Sequence, residues 1–149
     1  MFRFLEIPLS NFAFCQDHNI KTKRVKIQGT ITLKQGRDHS AKRFHPWIFS
    51  GAMQQTTGDP NDGDWVEVQD AKKTTLGFGH FQKGSITVRI ITFGATSPAK
   101  SIYIDKIGKA LDQRLETLVA SEFTNAYRLV HGEGDGLPGL IIDLYHDVA

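Results

Sequence analysis

The chain has 149 residues, of which 40% are hydrophobic and 23% are charged, with a formal net charge of +2 at pH 7. This size is enough for one ordinary domain, or for one small domain and part of another. No stretch approaches the roughly 18 apolar residues that a membrane span needs. The single cysteine, Cys15, excludes an internal disulfide and a Cys-x-x-Cys metal site.

Residues 1–28 show no clear period and are interpreted as a leader of uncertain structure. Glu6 and Pro8 interrupt its apolar residues, which makes it a poor signal peptide. With one cysteine and no export signal, we expect a reducing, cytoplasmic setting.

Positive charge is concentrated between residues 21 and 43, where eight Lys and Arg residues face only Asp38. Such a block predicts a surface that contacts phosphates. A solvated, disordered basic leader explains the charge equally well. Charge alone therefore leaves both interpretations open.

Alternating and β-branched residues predict five short strands, at Thr30–Lys34, Trp47–Ser50, Trp65–Asp70, Thr74–Phe81 and Ile86–Phe93. Short strands separated by turns about every ten residues indicate a small β-barrel over residues 29–94. Gly77 and Gly79 lie inside a predicted strand, which suggests a bulge or a close approach of two backbones.

A short helix is predicted between the first two strands. Ser40 is its candidate N-cap, and the helix runs to Phe44. Pro46 ends it, because the residue before a proline disfavours helical angles.

Residues 95–149 have a different composition. They contain a linker, an amphipathic helix over roughly Asp105–Ala120, and strands over Ala126–His131 and Leu140–Tyr145. These elements predict the β-α-β-β start of an incomplete α/β domain. The fold class expected for the whole chain is mostly β with an α+β portion, a small β-barrel followed by this partial domain.

Two sequence blocks carry a family resemblance. Residues 44–51 follow a basic turn and read Phe-His-Pro-Trp-Ile-Phe-Ser-Gly, and residues 131–140 read His-Gly-Glu-Gly-Asp-Gly-Leu-Pro-Gly-Leu. In this order they resemble the class I S-adenosylmethionine-dependent methyltransferases that modify cytosine C5 in 23S ribosomal RNA. The first block is similar to the opening of their RNA-binding PUA domain. The second is similar to the start of the small α/β domain that links it to the catalytic domain.

The resemblance covers roughly residues 30–149 and implies an N-terminal portion that positions ribosomal RNA. In this family the domain after the second block binds S-adenosylmethionine, and a cysteine in the C-terminal half attacks C6 of cytosine. Cys15 lies in the non-matching leader and is not assigned that role. We therefore expect no catalytic, cofactor-binding or metal-binding residue here, and no methyltransferase activity of the chain alone.

Other interpretations stay open at this point. A stand-alone, non-enzymatic PUA-type RNA-binding adaptor is the alternative, and an inactive, truncated gene product is a third. The sequence does not give the oligomeric state, and a homodimer of the parent protein is compatible with it.

The residues expected to bind RNA are Lys34, Arg37, Lys42, Arg43, His45 and Trp47. The cations can neutralise phosphates, and His45 can hydrogen-bond a phosphate or a base edge. Trp47 or Phe49 can stack on an unpaired base, a contact worth about 1–3 kcal/mol. For these two aromatic residues we favour a place in the barrel core instead, and for His45 a bond to nearby backbone is as good an explanation.

His131, Glu133 and Asp135 invite a second interpretation, as a metal or acid–base site. We favour a tight turn, in which the glycines allow unusual backbone angles and Asp135 acts as a cap. The glycines do not match a dinucleotide-binding loop, because no helix with a long apolar face follows them.

Overall fold

The computed structural model describes residues 23–117, 126–146 and 148–149. The chain divides into two compact units, one spanning Lys23–Lys100 and the other containing the described residues from Ser101 onward. Most of the predicted leader lies outside the described residues. Its last residues belong to the first unit, where Arg24 pairs with Ala99 in an isolated β-bridge.

Six strands form the sheet of the first unit: β1 (Gly29–Leu33), β2 (Trp47–Phe49), β3 (Met53–Gly58), β4 (Trp65–Gln69), β5 (Thr75–Phe81) and β6 (Ile86–Phe93). Their order is β2-β6-β5-β4-β1-β3. The pair β1–β4 is parallel, and the other pairs are antiparallel. The sheet curls into a half-barrel, which confirms the mostly β class predicted from the sequence.

Strand alternation places the core on the inner face of this sheet. In β4, Val66 and Val68 are fully buried, whereas Glu67 between them is half-buried. The same core contains Ile31, Leu33, Ala41, Ile48, Phe81, Val88 and Ile90. Burial of these side chains supplies the main stabilising term of the unit.

The backbones of β5 and β6 approach closely at Gly79, as its position inside a strand predicted. The pairing register shifts between Phe78 and Gly79. A Cβ atom on Gly79 would lie 2.7 Å from the Cα of Ile90, a distance that side-chain-bearing residues do not tolerate. Glycine is therefore required here by the neighbouring backbone.

The short helix α1 (His39–Lys42) begins earlier than the sequence suggested. Asp38 is its N-cap, so the prediction of Ser40 as the cap was wrong. The helix ends before Phe44, whose φ of 62° is left-handed. This turn redirects the chain into β2.

The second unit contains one helix, α2 (Ile102–Thr117), and two antiparallel strands, β7 (Ala126–His131) and β8 (Ile141–Tyr145). The helix starts earlier than predicted, and Ser101 holds its first turn in two ways. The Ser101 carbonyl accepts the Asp105 N–H at 2.9 Å, and the Ser101 hydroxyl donates to the Asp105 carboxylate at 2.8 Å. The predicted end at Ala120 lies outside the described residues. The strand that precedes α2 in the chain, β6, belongs to the sheet of the first unit.

The core of the second unit lies between α2 and the two strands, and contains Ala110, Leu129, Val130, Leu137 and Leu144. On the surface of the strands, Arg128 faces Asp143 directly across the ladder. Its Nε lies 2.7 Å from Asp143 Oδ1. Both side chains are substantially exposed, so this cross-strand pair contributes little to stability.

Candidate RNA interface

The basic segment between β1 and β2 starts with a turn held by Lys34. The Lys34 N–H donates to the Ala52 carbonyl at 2.9 Å, and its ammonium donates to the Gly51 carbonyl at 3.0 Å. The Arg37 N–H donates back to the Lys34 carbonyl at 3.0 Å. Lys34 therefore supports the turn, while the Arg37 side chain remains exposed.

The other cations of the segment differ in their partners. Lys42 forms an ion pair with Asp38 and lies 3.6 Å from the Asp70 carboxylate. The hydrogen bond between Lys42 and Asp38 lowers the pKa of Asp38 and raises the pKa of Lys42. In the described part of the chain, Arg37 and Arg43 have no acidic partner. They are the two cations of α1 and its flanks most available to an added phosphate.

Asp70 supports Lys42 from a buried position in the turn after β4. Its Oδ1 accepts the backbone N–H groups of Lys72 and Thr74, each at 2.9 Å. The Thr74 bond is the main cause that lowers the pKa of Asp70, and Lys42 adds to it. The charged form of the Asp70 carboxylate therefore stabilises the folded state more than the protonated form does.

Replacing Asp70 by asparagine should make stability less sensitive to acid. A carboxylate whose pKa is lowered by folding stabilises the protein fully above its unfolded pKa, about 3.9. That stabilisation is lost as the pH falls through the lower folded value. Urea midpoints measured from pH 6 down to pH 2.5 should fall less steeply for the variant below about pH 4. If the urea midpoints of the variant and the wild type fall equally steeply below about pH 4, Asp70 does not supply this stabilisation.

His45 lies exposed between Phe44 and β2. Its Nδ1 accepts the backbone N–H of Trp47 at 3.2 Å, which leaves Nε2 as the ring donor. The two rings meet edge to face with centroids 5.5 Å apart. His45 is exposed and also bonds to nearby backbone, so a backbone bond through Nδ1 does not exclude an RNA contact through Nε2.

The preference for Trp47 and Phe49 as core residues was wrong. Strand β2 alternates, and its inward residue is Ile48, which is 2% exposed. Phe49 is 49% exposed, and Trp47 is half-buried on the same outer face, where their ring centroids are 6.4 Å apart. Strict alternation over three residues was the signal that could have placed them.

Phe44 is an interface candidate that sequence reasoning did not select. It is 73% exposed, and its ring meets that of Phe93 edge to face with centroids 5.3 Å apart. It follows Arg43 directly in the chain, so an exposed ring and a guanidinium with no acidic partner among the described residues are neighbours in sequence. This combination suits a nucleic acid, because bases stack on rings while cations bind the backbone.

The block from His131 to Asp135 is a turn, as favoured from the sequence. The Asp135 carboxylate accepts the His131 N–H at 2.6 Å, and the Arg114 guanidinium donates to both of its oxygens at 2.8 and 3.0 Å. Gly136 completes the turn with a φ of 67°. Among the described residues, no group of three His, Cys, Asp or Glu side chains could hold a metal ion. Within the same residues, no helix is long and apolar enough to cross a membrane.

Comparison with known proteins identifies the half-barrel. Residues 31–93 match the family described as PUA-like domain. These residues are a PUA-like domain. The match covers all six strands of the sheet except the first residues of β1.

Similarity to curated relatives extends beyond the PUA-like domain. The chain is 38% identical over 123 residues, 82% of its length, to the ribosomal RNA large subunit methyltransferase I of Pseudoalteromonas atlantica. It is 33% identical over 116 residues to the protein of the same name from Salmonella arizonae. The resemblance found from the two sequence blocks is thus confirmed. The chain spans about 30% of the length of these relatives, 31% and 29% respectively.

A solved structure shows the same fold. A protein described as a SAM-dependent methyltransferase from Streptococcus mutans superposes with a TM-score of 0.64 at 21% identity. The match covers 80% of this chain and 31% of that protein. The described arrangement of the PUA-like domain therefore has a counterpart among methyltransferase structures.

Proposed function

We propose that this chain is the RNA-docking portion of an S-adenosylmethionine-dependent methyltransferase that modifies cytosine C5 in ribosomal RNA. The observation that carries the proposal is the segment from Arg37 to Phe49. It holds two arginines that have no acidic partner among the described residues, together with the exposed rings of Phe44 and Phe49. Similarity to ribosomal RNA large subunit methyltransferases over most of the chain supports it. Since ribosomal RNA is the substrate proposed, the protein would act in the cytoplasm.

Each predicted residue has a specific part in this proposal. Arg37 and Arg43 bind backbone phosphates, for which the planar guanidinium is well suited. Lys34 and Lys42 add positive charge, although Lys42 must share its ammonium with Asp38. His45 donates through Nε2, and Trp47 offers the outer face of its indole. Recognition of this kind reads RNA shape and unpaired bases.

Cofactor binding and methyl transfer belong, in this proposal, to the remainder of such a protein. Within the described residues, the glycine-rich turn over 132–136 is the place to test for a cofactor fit. This segment is itself a single 3-10 turn, Gly132–Asp135, and the next element is strand β8 rather than a long helix. Asp135 is also occupied by Arg114 and the His131 N–H. The turn does not fit a nucleotide-type cofactor, and we assign no reaction step to it.

Replacing Arg37 and Arg43 together by glutamine should weaken binding to purified large-subunit ribosomal RNA. Each lost phosphate contact flattens the slope of log affinity against log salt by about 0.7 to 0.9. Adding Lys42→Gln should change the slope less than replacing either arginine does, because the Lys42 ammonium is already neutralised by Asp38. Fluorescence anisotropy across a potassium chloride series measures the slope.

The matched control replaces Lys83 and Lys100 by glutamine. Both are exposed turn lysines of the same unit and lie outside the segment from Arg37 to Phe49, so the same charge is removed elsewhere in the unit. A wild-type slope in the double arginine variant, or an equal change in the control, would reject the assigned interface.

A stand-alone RNA-binding adaptor would give the same binding result. The nucleotide sequence beyond the codon for Ala149 separates the two functions. An in-frame continuation that encodes a cofactor domain supports the methyltransferase, whereas a stop codon followed by unrelated sequence favours the adaptor.

A further inference from the structure

A cavity of about 270 Å³ lies between α2 and the glycine-rich turn of the second unit. Lys106, Lys109 and Gln113 line it from the helix, and residues 134–136 line it from the turn. Spacings of three and four residues place the helix side chains on one face. The cavity is therefore a basic recess built by two elements.

The charge of this recess is not balanced within the described structure. No carboxylate there pairs with Lys106 or Lys109. Asp135 borders the cavity, but its carboxylate is engaged by Arg114 at 2.8 Å. Lys106 is half-buried, and burial, followed by the positive charge of Lys109, lowers its pKa. Keeping a cation partly buried beside a second cation is unfavourable unless an anion joins them.

The Lys106 ammonium lies close to the turn at Gly136. A Cβ atom on Gly136 would lie 2.7 Å from Lys106 Nζ. The left-handed φ of 67° is what favours glycine at this position, since the end of a flexible lysine side chain can shift. The ammonium consequently lies against the turn backbone, inside the recess.

We propose that this cavity binds a phosphate group, held by the ammonium groups of Lys106 and Lys109. Lysine binds phosphate as a compact point charge with three donors. A phosphodiester of bound RNA and free inorganic phosphate present the same chemistry. If the phosphate belongs to RNA, the site adds a second RNA contact and the inference rests on the proposed function. If the phosphate is the free anion, the inference is independent of the proposed function.

The first test titrates the wild-type chain with inorganic phosphate, using chloride at equal ionic strength as the reference. The amide signals of Lys106, Gly134 and Gly136 should shift saturably in ¹H–¹⁵N NMR spectra with phosphate and not with chloride. The double variant Lys106→Gln, Lys109→Gln should weaken this binding at least about tenfold, because both charged donors to the phosphate are removed. Lys83→Gln, an exposed lysine of the other unit, should leave it unchanged.

The second test uses a short RNA oligonucleotide of the ribosomal sequence. If RNA supplies the phosphate, the same amides respond and the double lysine variant flattens the salt slope by about 0.7 to 0.9 per lost contact. A response to inorganic phosphate alone assigns the cavity to the free anion. Wild-type spectra unchanged by both probes overturn the proposal, even if the Arg37 and Arg43 variant has lost RNA binding. The site and the proposed interface can thus fail separately.

Discussion

Replacing Gly79 by alanine should lower the free energy of unfolding of the PUA-like domain by about 3 kcal/mol. The added methyl group would lie 2.7 Å from the Cα of Ile90. Backbone cannot move aside as a flexible side chain can, so β5 and β6 must separate locally and lose ladder hydrogen bonds. Urea unfolding followed by tryptophan fluorescence measures the loss, since Trp47 and Trp65 both lie in this unit.

Gly51→Ala is the matched control for this substitution. A Cβ atom at Gly51 meets no heavy atom within 4 Å, and the residue lies in the exposed 3-10 turn Ser50–Ala52. Its stability should change by less than about 0.5 kcal/mol. Equal losses from the two variants would show that the β5–β6 contact is not the cause.

Replacing Asp135 by alanine should destabilise the second unit by about 2–3 kcal/mol. The Asp135 side chain is 6% exposed and that of Arg114 is 23% exposed. Without the carboxylate, a largely buried guanidinium lacks its counter-charge and the His131 N–H lacks its acceptor. A fully buried pair would cost about 3–5 kcal/mol to break, and water reaching Arg114 reduces this. Hydrogen exchange at the amides of Leu129 and Val130 reports the change within this unit.

Asp143→Ala tests whether burial determines that effect. Asp143 also pairs with an arginine, Arg128, and folding lowers its pKa through that hydrogen bond. Because the Arg128 and Asp143 side chains are 46% and 33% exposed, the loss should be much smaller than for Asp135. Comparable exchange rates in the two variants would contradict the role given to burial.

The strands that were predicted from the sequence have a hydrophobic pattern of their own. Val66 and Val68 in β4 alternate with half-buried residues, and β6 carries two buried pairs, Thr87–Val88 and Ile90–Ile91. Turns separate these strands. Strand β3 was not predicted, because its residues are mostly exposed glutamine and threonine. It pairs only with β1 at the sheet edge, so it has no buried face to show in the sequence.

The sequence predicted which positively charged residues lie in the candidate interface, but not that Asp70 is a partner of one of them. The sequence shows that Arg37, Lys42 and Arg43 are close together, because they are close in the chain. It does not show that Asp70 reaches Lys42, since this contact depends on the turn after β4. Trp47 and Phe49 of β2 were misplaced for another reason: their large apolar side chains were given more weight than the alternation of this three-residue strand.

The pairing of β1 and β2 with strands later in the chain has a consequence for its synthesis. Strand β1 precedes the basic segment and pairs with β3 and β4, and β2 follows the segment and pairs with β6. Both ends are thus held by strands that come later in the chain, and such non-local pairings form late. On a translating ribosome, the cations would emerge as an unoriented basic stretch. They would become a shaped surface only after Ile86–Phe93 has left the exit tunnel.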